Sequence, residues 1–366
     1  MSAPTPVCPL RTLRVVHLRR CREVALETAA PVVVITGGNG AGKTTLLEAV
    51  YLLARGRSFR GRKAGPMTTR GERGTLVEGR CEADAPDGRL LRYRRDHHGR
   101  EHSLDGLPWP PAGDQRPLRI KLIGENAQSL LEGDPALRRT FLDWNLFHVE
   151  PRLGALRREL SRVQQQRNAV LRRGGGRELA VWDRALSELG ERIDHQRQRF
   201  FTRWRTRFHE LAATFPFLDA SDLVFARGWS AQQSLAEAIV TARRAELSRG
   251  HTLIGPGRAE FQLERDGARL ALSRGQAKVV VCLLQLAAEQ VHRDQGLAPA
   301  LWLLDDIEAE LDAHTLERLW GLIGQRDGQC ILTRVATAPD PGPCTRPNAT
   351  RVFHVEHGAV GSSAEH

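Results

Sequence analysis

At 366 residues the chain exceeds what one hydrophobic core usually organises, so two domains, or one with a large insertion, are expected; 41% hydrophobic and 27% charged residues exclude a disordered chain. No run of about eighteen apolar residues is present, and residues 1–11 are Pro-rich without an apolar h-region, which argues against a membrane span and a secretory signal and leads us to expect a cytoplasmic location. The 54 Lys and Arg against 43 Asp and Glu give a net charge of +11, a field that attracts polyanions and makes nucleic acid the leading partner class, although an arginine-biased genome raises the charge equally well.

Along the chain, residues 13–18 and 31–36 read as strands, the second a continuous apolar run suited to a buried sheet. A helix follows from about Gly42 to Ala54, with Leu46, Leu47, Val50 and Leu53 on one face and Gly56 as its stop. Residues 75–107 hold short β-prone runs divided by Asp87-Gly88, His98-Gly99 and Asp105-Gly106, which predicts an antiparallel β lobe. From about Pro135 to Ala213 the pattern is helical and strongly charged, and Gly174-Gly175-Gly176 divides it into the arms of a hairpin. Trp182, Trp204 and the Phe200-Phe201 pair in this stretch are read as packing residues rather than base-stacking ones. Strands at 261–264 and 269–272, a helix at 276–292, a buried strand at 301–304, a helix at 315–325 and strands at 330–332 and 352–355 complete the pattern. Six scattered cysteines (Cys8, Cys21, Cys81, Cys282, Cys330 and Cys344) form no C-x-x-C pair, against a zinc knuckle or a disulfide framework; Cys282 and Cys330 sit in apolar runs as small buried hydrophobes. The expected layout is an α/β core split by an insertion: residues 1–126, a helical insertion at 127–250, and residues 251–366.

Gly37-Gly38-Asn39-Gly40-Ala41-Gly42-Lys43-Thr44 fits the P-loop pattern between a strand and a helix, the context that it requires. Its glycines let backbone N–H groups converge on phosphates, Lys43 would reach the β- and γ-phosphates of ATP, and the Thr44 hydroxyl would ligate Mg²⁺. Thr45, next on the helix, joins the candidate nucleotide contacts. The apolar strand at 301–304 runs into Asp305 and Asp306, candidates respectively for the metal carboxylate and for the acid that polarises water. Leu272-Ser273-Arg274-Gly275-Gln276 opens a helix, where Ser273, Gly275 and Gln276 offer hydroxyl, N–H and dipole to an anion; Glu310-Leu311-Asp312 follows the acidic pair.

Together these motifs resemble an ABC-type ATPase head, in which the signature serine meets ATP held by a partner head, and the 230 residues between Lys43 and Ser273 resemble the SMC-like branch. Within it, residues 46–60 (Leu46-Leu47-Glu48-Ala49-Val50-Tyr51-Leu52-Leu53-Ala54-Arg55-Gly56-Arg57-Ser58-Phe59-Arg60), 133–143, 166–171 and 272–278 are similar to segments of the RecF family. The resemblance implies an α/β P-loop ATPase head of ABC type with an antiparallel β lobe and a helical insertion. It also implies an ATP-dependent homodimer that clamps duplex, gapped or junction DNA, weak ATP hydrolysis used as a switch, RecO and RecR as partners, RecA loading, and a place in recombination, repair and the SOS response. Arg22 is assigned to the nucleotide as the one residue kept from the family's early motif, and Arg57, Arg60, Arg62, Lys63, Arg138 and Arg139 are the DNA candidates. Departures from the family are Gly257 and Ala259, in place of a His and an Asp, and Arg334, in place of a Thr. Competing readings are a transporter ATPase, which the long spacing opposes, a P-loop kinase, which leaves the Ser273 motif unexplained, and an SMC-like ATPase of another DNA-maintenance or defence pathway.

Overall fold

The computed structural model describes residues 10–60, 65–81, 88–109, 118–124, 127–335 and 350–361. In chain order the elements are β1 (Leu10–Leu18), β2 (Cys21–Glu27), β3 (Val32–Gly37), α1 (Lys43–Arg55), β4 (Gly74–Cys81), β5 (Arg89–Asp96), β6 (Gly99–Leu104), β7 (Leu107–Pro108) and β8 (Ile120–Ile123). Next come α2 (Ala127–Glu132), α3 (Pro135–Val149), α4 (Leu153–Arg172), α5 (Leu179–Ala212), β9 (Ser221–Ala226), α6 (Leu235–Arg249), β10 (Glu260–Arg265) and β11 (Ala268–Arg269). The chain continues with α7 (Arg274–Arg293), β12 (Leu301–Leu304), α8 (Ala313–Gly324), β13 (Cys330–Val335), β14 (Thr350–Glu356) and β15 (Ala359–Gly361). Among the described residues no helix is long and apolar enough to cross a membrane.

The chain divides into two compact units. One holds residues 1–126, 274–279 and 298–366; the other holds 127–273 and 280–297. The second unit takes in the chain on both sides of residue 250. The physical reason is pairing: β9 lies antiparallel to β10, with Phe225 opposite Phe261, so the chain past residue 250 stays in the second unit's sheet, ordered β11-β10-β9.

The first unit has two sheets. One is ordered β2-β1-β4-β5-β6-β7 and is antiparallel throughout. The other is ordered β15-β14-β3-β13-β12-β8, parallel except for the edge strand β15. Parallel strands covered on both faces read as unbroken apolar runs, as Val32–Ile35 and Leu301–Leu304 do. Helix α1 buries nearly its whole circumference: Leu46, Leu47, Ala49, Val50, Leu52 and Leu53 share one core with Leu13, Val15 and Val77 of the antiparallel sheet and Val33, Ile35, Leu303 and Ile331 of the parallel one. Gly56 ends the helix in a left-handed conformation, φ 64°, and its N–H donates to the Leu52 carbonyl at 2.8 Å.

In the second unit α4 and α5 form the expected hairpin, and all three loop glycines (Gly174, Gly175, Gly176) take positive φ. Trp204 is fully buried among Phe141, Phe200, Phe201 and Phe261, and its indole N–H donates to the Leu284 carbonyl at 2.8 Å. Those aromatic rings are core and are not offered to nucleotide bases. Arginine is core material here too: Arg167, fully buried, is neutralised by Asp183 and Glu246 at 2.8 and 2.6 Å.

Candidate nucleotide site

Strand β3 ends at Gly37, whose φ of 154° comes with no room for a side chain: a Cβ there would lie 2.3 Å from the Val355 carbonyl oxygen. The loop is gripped on a second side by the turn between β14 and β15, where the Gly358 N–H donates to the Ala41 carbonyl at 2.9 Å. A Cβ on Gly358 would meet the Arg20 carbonyl at 2.2 Å, so the β1–β2 turn closes on the same point. Gly42 precedes α1 with φ 121° and supplies no side-chain cap, which leaves the first N–H groups of the helix for an anion. Gly38, Asn39 and Gly40 are exposed, Ala41, Lys43 and Thr44 half-buried, and Thr45 buried. The Lys43 ammonium donates to the Gly37 and Gly38 carbonyls, both at 2.9 Å, so it lies folded over the loop.

Across 261 residues of sequence the Thr44 hydroxyl donates to Asp305 Oδ1 at 3.0 Å. The topology explains this: β13 alone separates β3 from β12, and both strands deliver their C-terminal ends to one edge. Asp305 is 5% exposed; it also accepts from the Thr333 hydroxyl of β13 at 2.8 Å, and its N–H donates to the Ile123 carbonyl at 2.8 Å. The next residue, Asp306, has a left-handed backbone, φ 48°, and its N–H donates to the same Thr333 hydroxyl at 3.0 Å. A buried carboxylate beside a threonine hydroxyl at the head of a P-loop helix is a pair of hard oxygen donors, the set a Mg²⁺ ion accepts.

A cavity of about 560 Å³ opens beside Lys43 and Thr44, and its other charged lining is Arg19, Arg20, Arg60 and Arg70. Arg20 donates to the Gly40 carbonyl at 2.9 Å. Behind the lining, fully buried Glu48 of α1 accepts from Arg19 at 2.8 and 3.0 Å and from the Ser58 hydroxyl, and Arg60 stands 3.9 Å away. This carboxylate therefore ties the β1–β2 turn to the segment that leaves α1.

Several expected site residues stand elsewhere. Arg22 is exposed on β2 and does not line the cavity; the turn puts Arg20 at the P-loop instead. Arg138 cannot serve a DNA backbone as it stands: it is 2% exposed, its Nε donates to Glu260 at 2.8 Å, and it also donates to the Leu130, Leu131 and Gly133 carbonyls. Arg139 is half-buried and donates to the Ala259 carbonyl at 3.1 Å, with its pKa lowered by burial first and by Arg197 second. Arg57 is exposed, and Arg60 faces the P-loop cavity; Arg62 and Lys63 lie outside the described residues. Ser273 is exposed and Gly275 buried at the start of α7, with Gln276 half-buried. Arg334 donates to Glu308 at 2.7 Å. Thr333 was missed; its only sequence signal is a hydroxyl in an apolar strand. Arg20 was missed as well, although an Arg-Arg pair between two strands marks a turn.

A parallel sheet carrying a P-loop and, one strand removed, an acid, joined to an antiparallel sheet and interrupted by a helical unit, defines the ABC-type ATPase head of SMC-like proteins. The RecF/RecN/SMC N terminal domain family matches residues 9–338. DNA replication and repair protein RecF of Xanthomonas axonopodis pv. citri (strain 306) is 36% identical over 363 residues, covering 96% of this chain and 98% of the relative; that of Cellvibrio japonicus (strain Ueda107) is 34% identical, covering 97% and 100%. The chain belongs to the RecF family. Two solved structures agree on the fold: that of the recombination mediator protein RecF-ATP in the RecFOR pathway, with TM-score 0.80 at 21% identity and full coverage of both chains, and an SmcHead bound to the C-winged helix domain of ScpA, with TM-score 0.56 at 14% identity and 96% coverage of each.

Proposed function

We propose that this chain is an ATP-dependent DNA-binding protein of replication, recombination and repair. Two ATP-bound subunits close on duplex DNA at gaps or single-strand/double-strand junctions, and weak hydrolysis releases them. The observation that carries the proposal is the Thr44–Asp305 hydrogen bond, which unites the P-loop with an acid from the far half of the chain. Lys43, held near the phosphate side of the cavity, would turn from its own loop carbonyls to the β- and γ-phosphates. Thr44 and Asp305 would hold Mg²⁺, which supplies charge neutralisation at the phosphates. Asp306 polarises the attacking water, and Ser273 of one subunit meets the γ-phosphate bound to the other. Membership of the RecF family and the net charge of +11 support DNA as the ligand, held through its phosphates without sequence readout. RecO and RecR are the expected protein partners and RecA loading the expected outcome.

The test is binding of a labelled gapped duplex by wild type and Lys43→Met, with and without ATP·Mg²⁺, at two salt concentrations. ATP-stimulated binding that falls steeply with salt and is lost in the variant is expected. Binding indifferent to ATP would leave only a generic basic surface, and none at all would move the function to another ligand.

A further inference from the structure

The backbone after Asp305 is unusual in a way the P-loop does not explain. Asp306 and Glu310, neither of them glycine, both have left-handed backbones, φ 48° and 72°. Asp adopts this region more readily than most L side chains, so Glu310 is the costlier of the two and persists only where its surroundings hold it. Both carbonyls are held by the first turns of α7. The Lys278 ammonium, 4% exposed, donates to the Asp306 carbonyl at 3.1 Å and to the Ala309 carbonyl at 2.8 Å. The Glu310 carbonyl packs so closely on Gly275 that a Cβ there would stand 2.4 Å from its oxygen. Arg274, with Nη1 3.7 Å from Glu310, adds a looser ion pair on the surface. From the other side, the Asp306 N–H is fixed by Thr333.

We propose that Lys278 is a positioning residue that sets the aim of the Asp306 carboxylate and links it to the start of α7, where the Ser273 motif lies. The proposal rests on the role given above to Asp306 in hydrolysis. The buried ammonium fixes the peptide plane that follows Asp306 and a second one at Ala309, while Thr333 holds the plane before Asp306, so the carboxylate is aimed without being touched. One helical turn separates Lys278 from Arg274, so a force on the motif when an anion engages Ser273 is delivered to the Asp306 carbonyl through the rigid first turn of the helix. In the step so controlled, a water oxygen bonds to the γ-phosphorus while the bond to the β–γ bridging oxygen breaks. Asp306 receives the water's proton, and ADP and inorganic phosphate result. Its rate depends on where the carboxylate points, and nucleotide affinity does not.

The experiment compares the full-length wild type with Lys278→Met, Lys278→Arg and Asp306→Asn. Single-turnover hydrolysis of radiolabelled ATP is measured with gapped duplex present, fluorescent-nucleotide binding is measured in parallel, and amide hydrogen exchange is followed over residues 305–311. Lys278→Met should keep nucleotide affinity within about twofold and slow the chemical step roughly a hundredfold, the order that a misplacement of about 1 Å produces. It should also speed exchange at 306–310 by about tenfold or more, and Lys278→Arg should restore part of both. Unchanged exchange overturns the proposal, as does an unchanged rate in Lys278→Met where Asp306→Asn is inactive. Full turnover in Asp306→Asn would instead remove the catalytic reading of Asp306, and exchange alone would then decide whether Lys278 holds the segment.

Discussion

Thr333→Val removes one oxygen from the site and keeps the shape of the side chain. Thr333 is 1% exposed, and its hydroxyl serves both acids: it donates to Asp305 Oδ1 at 2.8 Å and accepts from the Asp306 N–H at 3.0 Å. Losing a hydrogen bond to a carboxylate costs about 1.5–3 kcal/mol, and a buried N–H left unpaired costs about 1–3 kcal/mol, so the variant should be less stable by roughly 3–5 kcal/mol before any relaxation. The functional cost is separable. When Thr44 turns to a metal ion, Thr333 is the hydroxyl still orienting Asp305, and deleting such a support typically weakens metal affinity by about 10–100-fold. Binding of a fluorescent ATP analogue, titrated with Mg²⁺ and repeated in chelator, reads this directly. The expected result is a Mg²⁺ midpoint raised by about one to two orders of magnitude, unchanged binding in chelator, and recovery in Thr333→Ser. An unshifted midpoint in a folded Thr333→Val protein would refute the assignment of Asp305 to the metal.

Glu48→Gln removes, at a fully buried position, the counter-charge of half-buried Arg19, which should destabilise by about 3–5 kcal/mol and lower Tm by roughly 6 °C or more; an unmoved Tm would show that the pair is dispensable. Burial pushes the Cys21 thiol up to about 11 and Cys81 up to about 12, so neither should react with iodoacetamide at pH 8 without unfolding, and labelling of either within minutes would contradict their placement. Burial raises the pKa of Asp222, but hydrogen bonds from Arg205 and His209 outweigh it and hold the carboxyl below its ordinary value. Its stabilising contribution is therefore complete above the unfolded-state value near 3.9 and lost as pH falls through the folded-state value. Asp222→Asn should accordingly lower Tm slightly at pH 6 and converge with wild type in strong acid; a Tm gap that persists there would point away from the ion pair.

Legibility in the sequence followed how local each cause was. Helix α1 is written out in full, because an apolar pattern, a glycine-rich entry and the Gly56 stop all lie within a few residues of one another. Strand β12 announces itself by four apolar residues ahead of two acids. By contrast β8 is four residues long and includes buried Lys121, and it is a strand only because β12 lies beside it. Strand β9 is likewise made by its pairing with β10. The burial of Arg138 is not legible locally, because the residue that neutralises it, Glu260, is 122 positions away and no local pattern announces the pair. The P-loop and Asp305 carry local patterns that make them candidates, whereas the Glu48 and Lys278 networks carry none, since a polar residue on a helix carries no sign of the partner that folding brings to it.

The position of β3 in its sheet also bears on how the chain is made. Its two neighbours, β13 and β14, pair with it through Cys330↔Val32 and Thr350↔Val32, so a nascent chain emerging from the ribosome carries β3 with both hydrogen-bonding edges open. With roughly 300 residues still to be added at about 5–20 residues per second, that apolar strand waits some 15–60 s for its partners. Val32–Ile35 is the kind of short β-prone segment that joins other chains when left exposed. Sheet closure by the last-made part of the chain thus makes the nucleotide pocket a late product of synthesis, and a truncated chain ending before β13 should be a client of chaperones rather than a smaller working head.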